Sequence, residues 1–290
     1  MASENFKKLN LSNAFLFAAA LEDPEICRLV LEIILERPID HVTVKPERNI
    51  LFSSDFRSVR LDVYASDQVQ VGYHLEMQNK NERNLPKRTR YHQAEIDISS
   101  LKPGDNFNQL KPTYIIFICS FDPFGKRLYR YTIEKRFAET GDLYDDETHV
   151  VFLNTKGRNP DDVPELLVDF LKYVESSTDR TIQKSNNDTL KKLHTRVQDL
   201  KDSRELEGRY MWLTEWLESE LEDRLDERLK DELEERLKDE REKMQQEAVS
   251  NQERFRKLFL VLTDSGSQED LDKALHDPEA LEELYTKYNI

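Results

Sequence analysis

Two strand-like runs joined by a short polar turn, RLDVYASDQVQVGYHLEMQ from Arg60 to Gln78, constrain this chain more than any other stretch. In the second run Val71, Tyr73, Leu75 and Met77 form an apolar face, and His74, Glu76 and Gln78 take the opposite one. In the first, Leu61 and Val63 point one way and Arg60 and Asp62 the other. Paired antiparallel, the runs bring Asp62 and Glu76 together on one polar face. Two carboxylates held close repel unless a cation sits between them. A divalent ion is the usual solution, and oxygen ligands suit magnesium or manganese. On this reading Asp62 and Glu76 ligate the ion, the backbone carbonyl of Met77 adds a third oxygen, and the Gln78 amide orients an attacking water. The bland alternative is a solvent-facing polar strand face, which spacing alone favours.

Three neighbouring features bear on that choice. Glu32 lies inside the apolar run CRLVLEIIL and is a candidate third acid, since a carboxylate facing a packed interior needs a partner. Equally, Arg28, Glu32 and Glu36 read as a polar stripe at i,i+4 spacing. Lys80, Arg83, Lys87, Arg88 and Arg90 follow the strand pair with only Glu82 against them, and such a cluster attracts a polyanionic backbone. Tyr91 and His92 interleave there as candidate sugar or phosphate contacts. His74 shares a face with Glu76 and reads as a neighbouring polar residue that can approach the ion. No P-loop, GxGxxG or GxSxG motif is present, and seven glycines leave little room for a phosphate-cradling loop.

The chain of 290 residues is long enough for one medium domain with an extension. Residues 1–180 carry 24 basic and 29 acidic side chains, and residues 181–290 carry 19 and 29, so most of the net charge of −15 sits in the last third. An acidic chain does not advertise nucleic-acid binding, so any contact with DNA falls to a local basic patch. Cys27 and Cys119 sit in apolar runs and read as buried hydrophobes, not as a disulfide or a zinc site. Without a leader, an acylation motif or a long apolar run, a soluble cytoplasmic protein is expected.

Periodicity predicts a helix from about Pro24 to Glu36 capped by Asp23, and a short strand over 41–44. Another helix is expected from about Arg88 to Ser100. TYIIFICSF, from Thr113, reads as a central buried strand. LYRYTI and HVVFLN read as strands and PELLVDFLKYVE as a helix, giving an α/β or mixed α+β domain with one sheet. From 188 to 260 nearly every residue is a good helix former. Leu217, Leu221, Leu225, Leu229, Leu233 and Leu237 recur four apart, a step that winds around a helix where a coiled-coil seam wants 3.5 on average. That stretch reads as a charged spacer or an irregular association helix. Ser267 and Asp277 mark a terminal helical hairpin. The expected division is 1–180, 181–262 and 263–290.

RLDVYASD followed by VGYHLEMQ, then RNLPKRTRYHQAEID, LKPGDNFNQLKPTYIIFICSFDPFG and VVFLNTKG, resembles the PD-(D/E)xK nuclease superfamily. The ordered series is most similar to the recombination-promoting nuclease (Rpn) or transposase family. It covers roughly residues 10–180 and, more loosely, the charged helix and the hairpin. The resemblance implies a restriction-endonuclease-like core, a central mixed sheet flanked by helices. It also implies magnesium-dependent cleavage of DNA phosphodiesters. By motif position Asp62 and Glu76 would be the metal ligands, Gln78 would stand where the superfamily has lysine, and Glu32 would match a helix-borne acid used by some members. Two departures stand out. Gln78 carries no charge and is neither base nor cation, so either Lys80, Lys87 or Arg90 supplies that charge from elsewhere or catalysis is slow. Tyr91-His92 also replaces the family's paired tyrosines.

Two functions of other classes compete with a DNA endonuclease. One is a catalytically silent module that binds DNA or protein and assembles through its C-terminal helices. The other is a structural interaction protein driven by the acidic helix.

Overall fold

A computed structural model describes residues 2–44, 63–68, 70–185 and 187–290. Among these, six strands form one mixed sheet in the order β1-β2-β3-β4-β6-β5. They are β1 (Val42–Val44), β2 (Val63–Asp67), β3 (Gly72–Gln78), β4 (Thr113–Cys119), β5 (Arg130–Ile133) and β6 (Thr148–Asn154). The edges are antiparallel, with β1 on β2, β2 on β3 and β5 on β6, while β3, β4 and β6 run parallel. The predicted sheet flanked by helices is therefore observed, and it is consistent with a restriction-endonuclease-like fold.

The alternation in β4 shows why that strand reads as a continuous apolar run. Ile116 and Ile118 enter one core with Tyr73, Leu75 and Met77 of β3. Ile115, Phe117 and Cys119 enter a second core on the other face. A strand covered on both faces has no polar side to show. The first core is closed by α2 (Ala14–Leu21), α3 (Pro24–Leu35), α5 (Glu165–Glu175) and α7 (Asp188–Lys201). Helix α3 starts as predicted: Asp23 accepts from the backbone N–H of Glu25 and Ile26 at 2.8 and 3.3 Å, and Pro24 opens the first turn. The second core is closed by α4 (Leu85–Ser100) through Leu85 and Ile96. That helix begins three residues earlier than the predicted Arg88, because Leu85 is its first buried anchor.

Residues beyond 180 contribute to the first core. Leu190, Leu193 and Val197 of α7 are fully buried in it, and the compact unit runs Met1–Leu213. The sequence suggests a boundary at 180 because α7 is rich in charge and merges in sequence with the long helix that follows. Asp202 and Ser203 separate the two, and α8 runs Arg204–Ser265. The second unit, Thr214–Ile290, holds the rest of α8 with α9 (Gln268–His276) and α10 (Pro278–Tyr288). Its small core is Leu258, Leu262, Ala274, Leu284 and Tyr285. Asp277 caps α10 through the N–H of Ala280 at 3.3 Å, whereas the Ser267 side chain makes no cap bond to the start of α9. All six leucines of the four-residue repeat are exposed, by 43% to 63%. Among the described residues no helix is long and apolar enough to cross a membrane.

Both cysteines are free and buried. Burial pushes the Cys27 thiol up to about 12; burial, reinforced by the charge of Glu76, does the same for Cys119. At pH 8 only about one folded molecule in 10⁴ then carries either thiolate. Iodoacetamide labelling of the native protein at pH 8 is expected to proceed only as fast as unfolding. Rapid stoichiometric labelling of either cysteine without denaturant would contradict this packing.

Candidate metal and nuclease centre

The polar face of β3 is not solvated. Helix α4 lies across it and buries His74, while the Glu76 side chain keeps 12% of its exposure. The solvent-facing alternative for this face is thereby excluded. The covering stripe is Leu85, Arg88, His92 and Ile96, spaced three, four and four along the helix, as one helical face requires. Gln93 ties the same helix to the sheet by accepting from the Thr113 hydroxyl at 2.8 Å.

Glu76 is the centre of the arrangement, and its two oxygens have different surroundings. Oε1 accepts from the Gln78 amide at 2.6 Å and from the Arg88 guanidinium. Arg88 also donates to Gln78 Oε1 at 2.8 Å, so the three side chains close a ring of hydrogen bonds. Oε2 is buried and makes no hydrogen bond to any described residue. It faces two imidazoles, with His92 Nε2 at 3.4 Å and His74 Nε2 at 3.8 Å. Those rings stack, centroids 4.4 Å apart at 30°, with Phe117 tilted beneath both. The Arg88 guanidinium lies 5.7 Å above the same Phe117 ring.

Burial alone would push the Glu76 carboxyl up. The imidazoles of His74 and His92 and the charge of Arg88 outweigh it and hold the group at about 2. Glu76 is therefore an anion at neutral pH inside a largely apolar layer. Ligand atoms from His74, Glu76 and His92 all lie within 4.8 Å of one another, a fit for one divalent cation.

The other predicted site residues divide into three groups. Asp62 lies outside the described residues. At the described end of β2, Tyr64 pairs with His74 across the sheet. Met77 pairs with Ile118, and its side chain enters the opposite core. Glu32 is not brought to Glu76. It accepts from Arg28 at 2.8 Å and from the Ile39 N–H at 2.9 Å on α3, a helix of the opposite layer. Its i,i+4 pairing with Arg28 is that of a polar helix stripe, although Glu36 turns away to Arg130. Of the basic cluster, Arg88 points inward to Glu76, while Lys80, Arg83, Lys87 and Arg90 are exposed, with Tyr91 beside them. None of those four cations forms an ion pair with a described residue.

Residues 14–210 match the family model of PD-(D/E)XK nuclease family transposases. The chain belongs to that family. Its function is therefore of the nuclease type, with DNA as the implied substrate. Comparison with curated proteins and with solved structures finds no match. The cation that reaches Gln78 is Arg88, whereas Lys80, Lys87 and Arg90 are exposed. His92 was read only as a contact for sugar or phosphate. The signal that places it is its position four residues after Arg88, on the stripe that also carries Leu85 and Ile96.

Removing one partner of a buried ion pair leaves the other charge uncompensated. Arg88→Met is expected to destabilise the metal-free protein by about 3 kcal/mol, read from urea unfolding at pH 7. Adding Glu76→Gln should restore most of the loss. The depressed Glu76 carboxyl contributes stability that is complete above its ordinary value of 4.5 and is lost as pH falls toward about 2. Glu76→Gln should therefore flatten stability against pH over that window. Additive effects of the two substitutions, or an unchanged acid limb, would contradict the pairing.

Proposed function

We propose that this chain is a cytoplasmic, metal-dependent DNA endonuclease centred on Glu76. The observation that carries the reading is the divided carboxylate: one oxygen is engaged by Gln78 and Arg88, and the other, buried, faces the ring nitrogens of His74 and His92. A bound divalent ion supplies a water of lowered pKa and offsets charge on the scissile phosphate. Magnesium or manganese is the ion expected from the family. Glu76 holds the ion, and Asp62 is proposed as its second acid. That assignment rests on sequence alone, Asp62 standing immediately before the first residue of β2. Met77 is proposed to add its backbone carbonyl.

Gln78 has both ends of its amide engaged, so it acts as a positioning residue and not as a base. Arg88 provides a fixed positive charge where a lysine is missing. Lys80, Arg83, Lys87 and Arg90 draw in the phosphate backbone, and Tyr91 offers a ring to sugar or base.

A second reading has a specific observation in its favour. Arg88 already compensates Glu76, so the fold does not need a metal to stand. A silent module binding DNA or protein, assembled through the exposed leucines of α8, fits that fact. Plasmid nicking separates the two. The nuclease reading expects metal-dependent nicking by the wild type, lost in Asp62→Ala and in Glu76→Ala; equal activity in all three would reject it. Retained DNA binding with no cleavage would favour the silent module.

Replacing Lys80, Arg83, Lys87 and Arg90 together by alanine is expected to reduce the slope of log affinity against log salt by up to about 3 to 4. Fluorescence anisotropy with a duplex oligonucleotide measures it, and an unchanged slope would remove these residues from the interface.

A further inference from the structure

The donors grouped around Glu76 differ in kind from the oxygen set that magnesium takes. Magnesium demands near-octahedral oxygen ligands and gives up its waters reluctantly. Imidazole suits zinc and its transition-metal neighbours. Here two imidazoles and one carboxylate meet, with His74 and His92 each 95% buried.

The geometry is close to what such an ion needs. Ligands about 2.0–2.2 Å from a tetrahedral metal stand roughly 3.3–3.6 Å from each other. His92 Nε2 lies 3.4 Å and His74 Nε2 3.8 Å from Glu76 Oε2. The surrounding contacts also aim these atoms. Gln78 and Arg88 hold Oε1, which leaves Oε2 turned to the imidazoles. Behind His92, its second nitrogen Nδ1 faces Glu95 Oε2 at 3.4 Å. A carboxylate behind a histidine fixes the ring and raises its basicity as a ligand. Three protein ligands leave a further position for water or a phosphate oxygen.

We propose that His74, Glu76 and His92 form a two-imidazole, one-carboxylate site for a dication of the zinc or cobalt class, which the chain prefers to magnesium. The proposal rests on the nuclease reading for the use of the ion, and on the three side chains alone for its binding.

The test uses the untagged full chain, stripped of metal with a chelator and titrated with Co²⁺ under visible spectroscopy. One Co²⁺ per chain is expected, with ligand-field bands that Zn²⁺ abolishes and that a thousandfold excess of Mg²⁺ leaves in place. His92→Phe, which keeps a stacked ring, and His74→Asn should each weaken Co²⁺ binding by about 100-fold or more, and Glu95→Gln by about 10-fold. Circular dichroism reports whether each variant is folded, and His92→Gln stands in where His92→Phe is not. Unaltered Co²⁺ affinity in the folded His74 and His92 variants would overturn the proposal. So would the absence of Co²⁺ binding, or displacement of Co²⁺ by equimolar Mg²⁺. Absent nicking with Co²⁺ binding as expected removes the nuclease reading and leaves the site. Unaltered Co²⁺ affinity in the folded His74 and His92 variants, with metal-dependent nicking retained, removes the site and leaves the nuclease reading.

Discussion

A carboxylate buried between a sheet and a helix sets terms for everything around it. An ionised side chain taken out of water costs several kcal/mol unless it is paired and hydrogen-bonded. Glu76 meets that cost through Arg88 and Gln78. The requirement explains the placement of α4, whose inward stripe alternates apolar anchors, Leu85 and Ile96, with the polar pair Arg88 and His92. It also explains how β3 carries three polar residues on one face with His74 buried and Glu76 and Gln78 only partly exposed. The opposite face of the strand packs Tyr73, Leu75 and Met77 into the main core, which holds the backbone of Glu76 in place from behind.

Compensation by arginine and readiness for a metal are compatible here because they use different oxygens. Glu76 has one oxygen satisfied and the other buried beside two stacked imidazoles. Beside Gln78 the cation is Arg88 of the next helix, ten residues on, which donates to the amide oxygen.

Much of the architecture was legible from local chemistry. The two-faced pattern of residues 71–78, the cap at Asp23 and the β-branched run from Thr113 to Cys119 each stand where periodicity placed them. What the sequence hid were tertiary choices. A polar strand face looks the same whether water or a helix covers it, so the burial of His74 and Glu76 was not readable from β3 alone. Helix α7 looked like part of a charged extension because its buried leucines, Leu190 and Leu193, are a small minority of its residues. Glu32 was ambiguous because a carboxylate in an apolar run has partners that only folding reveals; Arg28 and the Ile39 N–H are those partners. The burial of His92 against Glu76 was equally hidden, since a histidine in a basic segment reads first as a surface contact.

The most direct measurement is anomalous diffraction at the zinc edge from crystals of the full chain grown with Zn²⁺. A peak is expected within bonding distance of His74 Nε2, Glu76 Oε2 and His92 Nε2, with Arg88 still on Glu76 Oε1. An ion bound away from Glu76, or a Glu76 carboxylate with both oxygens taken up by protein side chains, would contradict it.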